Sequence, residues 1–145
     1  MKTLCGLSIL LVSMSTTCGG QKKAEPPPPT RLTITEPRSS AEVGCIIEVS
    51  GSSATASEVI WVVVNPQAPQ SADKFYAQRP ARVSSDGSWT TSQVHIADCT
   101  DQFKGQGFRI KAIANPSPQP SVGQVLSDWP QGSRTSDTIN VVRKD

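Results

Sequence analysis

The segment Val59-Ile-Trp-Val-Val-Val64 constrains this chain more than any other, because it is apolar on both faces. Branched side chains are stiff at χ1, fit the pleated surface of a sheet and lose freedom on a helix. A strand with no polar face belongs at the centre of a sheet with cover on each side. The same bias runs through the chain: beyond Cys18 there are only Leu32 and Leu126 against 12 Val and 8 Ile. Stretches rich in Pro, Ser and Gly separate the branched runs, and 145 residues are enough for one domain. The expectation is an all-β module.

Alternation places the other strands. Leu32 and Ile34 face one way with Thr33 and Thr35 opposite, and Pro37 ends that strand. Cys45, Ile47 and Val49 form the inward face of the next, and Phe75 to Val83 reads as a weaker edge strand. Asp86-Gly87 turns into Trp89 to Ile96; then Phe108, Ile110, Ala112 and Ala114 alternate with Arg109, Lys111 and Ile113, and Ile139 and Val141 close the set. In Trp89 to Ile96 the aromatic falls on odd parity while Val94 and Ile96 fall on even, so a β-bulge near Thr91 to Gln93 is required. Asn115 to Ser136 is too long for a hairpin and is expected to be a crossover or a loop packed by Trp129, with a helical turn at Val122 to Leu126. About seven short strands with turns between them, and one long insertion before the last, describe a two-sheet sandwich of immunoglobulin type.

Ahead of this body, Lys2, the apolar run Leu4 to Met14 and small residues up to Thr17 have the order of a secretory signal, residues 1–17. The run is well short of the roughly 20 residues of a spanning helix. A short signal ending at Cys18-Gly-Gly20 resembles a bacterial lipoprotein precursor. That resemblance implies lipidation of Cys18 as the mature N-terminus. Gly19 after the Cys further implies the outer membrane of a Gram-negative cell, reached through the N-terminal lipid. Ser15 and Thr17 depart from the family's usual residues, and the alternative is ordinary cleavage to a secreted or periplasmic protein. Residues 18–30 carry four consecutive prolines, Pro26 to Pro29, and almost nothing to bury, so they read as an extended tether. Cys5 leaves with the signal and Cys18 takes lipid, which leaves Cys45 and Cys99 as an even pair in an oxidising compartment. They read as a disulfide, the alternative being two buried free thiols.

Residues 31–145 resemble a bacterial immunoglobulin-like module of secreted and envelope proteins. The matching stretches are Ile34-Thr-Glu-Pro37, Val49-Ser-Gly51, Ile60-Trp-Val-Val-Val64 with Pro66, Phe75-Tyr-Ala-Gln78, Asp86-Gly-Ser-Trp89, Phe108-Arg-Ile-Lys-Ala-Ile113 and Ile139-Asn-Val-Val-Arg143. Each is a structural pattern without chemistry in it, so the resemblance implies fold more than function. The spacing Cys45, Trp61, Cys99 is similar to that of immunoglobulin domains, but Cys99 lies in the polar loop Asp98-Cys-Thr-Asp101 and Ala97 replaces the characteristic Tyr. A strand-to-loop bridge is expected instead of a central one.

Charge and chemistry narrow the function. The formal charge of +2 gives no footprint for nucleic acid. His95, Asp98, Cys99 and Asp101 are the sole cluster of metal-ligand types, but a single His and a Cys with a competing partner do not make a zinc set, so no metal or cofactor is expected. His95 is the sole imidazole and has no evident orienting partner for a nucleophile. The reading is a non-enzyme that binds an envelope protein or a glycan or serves a structural role, with a small secreted hydrolase as the alternative. Trp61 and Trp89 belong to strand patterns and to the core; Phe75, Tyr76 and Trp129 are the candidate binding surface.

Overall fold

The computed structural model describes residues 31–144. The signal segment, Cys18 and the proline tether lie outside the described residues. Ten strands occur within them: β1 (Thr33–Glu36), β2 (Ala41–Val43), β3 (Ile46–Ser52), β4 (Val59–Pro66), β5 (Phe75–Arg82), β6 (Ser88–His95), β7 (Gly107–Ala114), β8 (Val125–Leu126), β9 (Arg134–Thr135) and β10 (Ile139–Arg143). They form a β-sandwich. The small sheet has the order β1-β3-β6; the large sheet has the order β2-β10-β7-β4-β5-β8, with β9 pairing β7. Among the described residues no helix is long and apolar enough to cross a membrane.

The core follows the sequence parity. Val49, Ile60, Val62, Val64, Trp89, Val94, Phe108, Ile110, Ala112 and Val141 are buried in one cluster, with Leu32 from the chain's approach to β1. Burying each of the Val, Leu, Ile and Phe side chains among these stabilises the fold by about 1.5 to 3 kcal/mol. The small sheet closes tightly at Gly51, which pairs with both Ile34 and Trp89. A Cβ there would lie 1.9 Å from the Thr33 carbonyl oxygen and 2.5 Å from Trp89 Cζ2. Only glycine lets the Trp89 ring lie against that strand.

The outer face of β4 is covered as its sequence demands. Val63, Phe75 and Ile113 are buried in a second cluster, with Leu126 and Trp129 packed against it. Leu126 and Trp129 come from the 115–136 insertion. It therefore acts as a strap over the large sheet, and Trp129 packs it as expected.

The observed strands outnumber the expected seven because β2, β8 and β9 have only three, two and two residues, too few to show a period. The helical turn expected at Val122 to Leu126 does not form. Gly123 has φ 78°, and Val125 and Leu126 pair with Tyr76 and Phe75, so the ladder takes the backbone groups a helix would have used. At the Asp86-Gly87 turn, Gly87 takes φ 84°, and the Ser88 amide and hydroxyl donate to Asp86 Oδ1 at 2.9 and 2.6 Å. The Ser88 hydroxyl first, and its amide second, hold the Asp86 carboxyl below its ordinary pKa.

Candidate functional site

Two edges of the sandwich meet where β5 passes β6, and each is interrupted there by an extra residue. On β6, Val49 pairs with Thr91 while Ile47 pairs with Val94. The bulge falls at Ser92 and Gln93, where the parity conflict required it, and Gln93 takes φ 56°. On β5, Val63 pairs with Ala77 while Trp61 pairs with Pro80, so a second bulge lies at Gln78 and Arg79. Nothing in the alternation of β5 announced it. Bulges bend a strand and re-aim its side chains.

Side chains stitch these edges together. Buried Gln78 accepts the His95 backbone N–H at 2.9 Å and donates to the Tyr76 carbonyl at 3.2 Å. The Thr91 hydroxyl donates to the Arg79 carbonyl at 2.9 Å. Beside these stitches the sandwich opens into a groove of about 530 Å³ lined by Tyr76, Arg79, Gln93, His95, Asp98 and Phe103, among others. This size falls within the range of small-ligand sites. Buried Ile96 and Phe108 contribute its apolar part.

The wall formed by residues 96–106 has no regular strand of its own and is held by bonds to Cys45 and Arg143. Cys99 is bonded to Cys45 with 5.2 Å between Cα atoms, within the ordinary range for a disulfide. Ile96 N–H donates to the Cys45 carbonyl at 2.8 Å, and Gly105 N–H donates to the Arg143 carbonyl at 2.8 Å. Cys45 sits in the bend before β3 and Cys99 in the loop after β6. The bridge thus joins a strand entrance to a loop.

The candidate aromatics do not share one surface. Neighbours in a strand face opposite ways: Phe75 is buried under the strap, 7% exposed, while Tyr76 is half-buried and faces the groove. Trp129 is half-buried on the strap side, beside Phe75 and Lys111. Trp61 and Trp89 are both buried, and neither indole N–H finds an acceptor among the described residues.

His95, Asp98, Cys99 and Asp101 are exposed, and Cys99 is consumed by the disulfide. No group of three or more His, Cys, Asp or Glu side chains among the described residues is placed to hold a metal ion. Two buried polar features escaped the sequence reading. Glu58, 5% exposed, accepts the Ser53 hydroxyl at 2.8 Å and pairs with Arg134 of the strap. Its position just ahead of an apolar strand carries no signal for partners so distant in sequence. Arg143 is 3% exposed, with Nε and Nη1 lacking partners among the described residues. Parity did carry that signal, since Arg143 follows Ile139 and Val141 on the inward side.

No protein-family model, no curated protein and no solved structure matches the chain.

Proposed function

We propose that this protein is exported, anchored at Cys18 by lipid, and non-catalytic, and that it displays an immunoglobulin-like sandwich whose β5–β6 groove binds a ligand of the cell envelope. The observation that carries this reading is the position of the groove relative to the tether. Thr33 pairs with Ser52, and Ser52 with Ser88, so the chain enters at that end of the small sheet. His95 pairs with Ile46 at the opposite end. Since β1 and β6 are also opposite edges of the small sheet, the groove is diagonal to the point of attachment. The proline run Pro26 to Pro29, read from the sequence as polyproline at about 3.1 Å per residue, would hold that corner away from an anchoring surface.

The strand order supports the immunoglobulin-like part of the proposal: the first, third and sixth strands face a sheet centred on β10, β7 and β4. The non-catalytic part is supported by His95, whose ring has no hydrogen-bonding partner among the described residues to orient it.

Intact mass of the mature protein tests the anchor. Acyl chains on Cys18 are expected, and Cys18→Ser is expected to release the protein from the outer membrane to the soluble fraction. An unmodified N-terminus would reject the lipid and leave a secreted or periplasmic protein. Hydrolysis of any ester, peptide or glycan that disappears in His95→Ala would overturn the non-enzyme reading.

A further inference from the structure

We infer that the groove takes a neutral oligosaccharide, an inference that rests on the proposal that the groove is a binding site. The first observation is the state of its polar groups. Among the described residues, the side chains of Gln70, Tyr76, Arg79, Gln93 and His95 make no hydrogen bond to the protein, although all line one groove. Gln78, by contrast, is engaged: its Oε1 accepts the His95 N–H of the facing sheet and its Nε2 donates to the Tyr76 carbonyl of its own strand. The amides of Gln70 and Gln93 each offer an acceptor and two donors. A sugar hydroxyl is both donor and acceptor, so neighbouring hydroxyls pair with such amides in either sense. Tyr76 and Phe103 add aromatic surface for the apolar face of a sugar ring.

The second observation is charge. Arg79 and Asp98 oppose each other in sign, and His95 and Tyr76 are the other titratable lining groups. There is no cluster of cations for a polyanionic chain to neutralise.

The third observation separates a glycan from an extended peptide. A peptide would gain its affinity by adding a strand to a free edge, and both edges beside the groove are already spent. On β6 the His95 N–H goes to Gln78 and the ladder is broken at Gln93. On β5 the strap pairs with Phe75 and Tyr76, exchanges backbone hydrogen bonds with Ala77 at 2.9 and 2.8 Å, and leaves the Arg79 carbonyl to Thr91. Recognition is left to side chains.

The test uses the full chain carrying Cys18→Ser, collected after export and labelled with ¹⁵N. It is titrated with β-1,4-linked tetramers of N-acetylglucosamine, glucose and mannose, and separately screened against a library of unstructured peptides. The expected result is saturable shifts at Gln70, Tyr76, Gln93 and His95 with at least one tetramer. Gln70→Ala, Gln93→Asn and Tyr76→Ala should each weaken binding about tenfold, the loss of one good contact. Gln93→Asn keeps a residue tolerant of positive φ, and Gln70 lies in a loop, so an unchanged melting temperature in these two separates lost contact from lost fold. No groove shifts with any tetramer at millimolar concentration, together with a peptide whose binding these variants weaken, would overturn the oligosaccharide and leave the binding site standing. Silence from both sets would overturn the site as well.

Discussion

The ring of Trp129 stands edge-on to that of Phe75, with 4.8 Å between centroids and 70° between planes. Lys111 Nζ lies 5.1 Å from the centre of the same indole. An aromatic pair in this geometry contributes about 0.5 to 1.5 kcal/mol beyond the area it buries. It closes the strap over the outer face of β4, so Trp129 acts as core although it is one of the more accessible aromatics.

Trp129→Ala is therefore expected to cost about 3 kcal/mol, as truncation of a packed aromatic does. Urea unfolding would measure it. Trp129 does not line the groove, whereas Val122 and Gly123 of the strap do, so ligand affinity should change only as far as the loosened strap shifts those two residues. A fully stable variant would show that the strap is held without the aromatic pair.

The Glu58 pocket ties the strap to the sheet by polarity. Besides the Ser53 hydroxyl and Arg134, its carboxylate lies 3.4 Å from both Asn115 Nδ2 and the Ser133 hydroxyl. Glu58→Ala strands these donors and should cost about 3 kcal/mol, the low end for breaking a buried pair, because Arg134 is partly exposed and water can take over its partner's role. Combining it with Arg134→Ala should cost less than the two single losses added, since the residues share one interaction. Simple additivity in denaturant titrations would count against the coupling.

Two glycines of similar setting in the sequence should behave differently. Gly51→Ala would drive a methyl into the Thr33 carbonyl and the Trp89 ring, and a loss of at least about 3 kcal/mol is expected. At Gly44 the nearest neighbour of an added Cβ is the Ile46 carbonyl oxygen at 3.7 Å, an ordinary contact, so Gly44→Ala should stay within about 0.5 kcal/mol. Thermal unfolding of both variants under one condition makes the comparison.

The Cys45–Cys99 bridge spans a sequence separation of 54, worth at most about 4 kcal/mol in the chain-entropy account. The double Cys→Ser variant should lose stability within that limit and show its fastest-rising amide exchange in residues 97–106, the groove wall that the bridge restrains. Exchange rising evenly across both sheets instead would mean that the bond stabilises the whole domain without restraining the wall. A non-reducing peptide map of the parent protein should show Cys45 and Cys99 in linked fragments.

What the linear chain by itself determined is whatever depends on period two. Val59 to Val64 had to be central and covered on both faces, and the displaced parity between Trp89 and Val94 had to be absorbed by a bulge. Those outcomes follow from which way successive side chains point, a property local to the strand. Other features were decided only by contacts between distant segments. What covers β4 is the strap, whose two-residue strands have no period to read. The bulge at Gln78 arises from β5 meeting β6 and from no conflict in its own alternation. Phe75 and Tyr76, adjacent in the chain, face a packed indole and an open groove respectively. A single sequence carries the alternation that separates them, but only the placement of the strap over one face makes one of them core and leaves the other at the site.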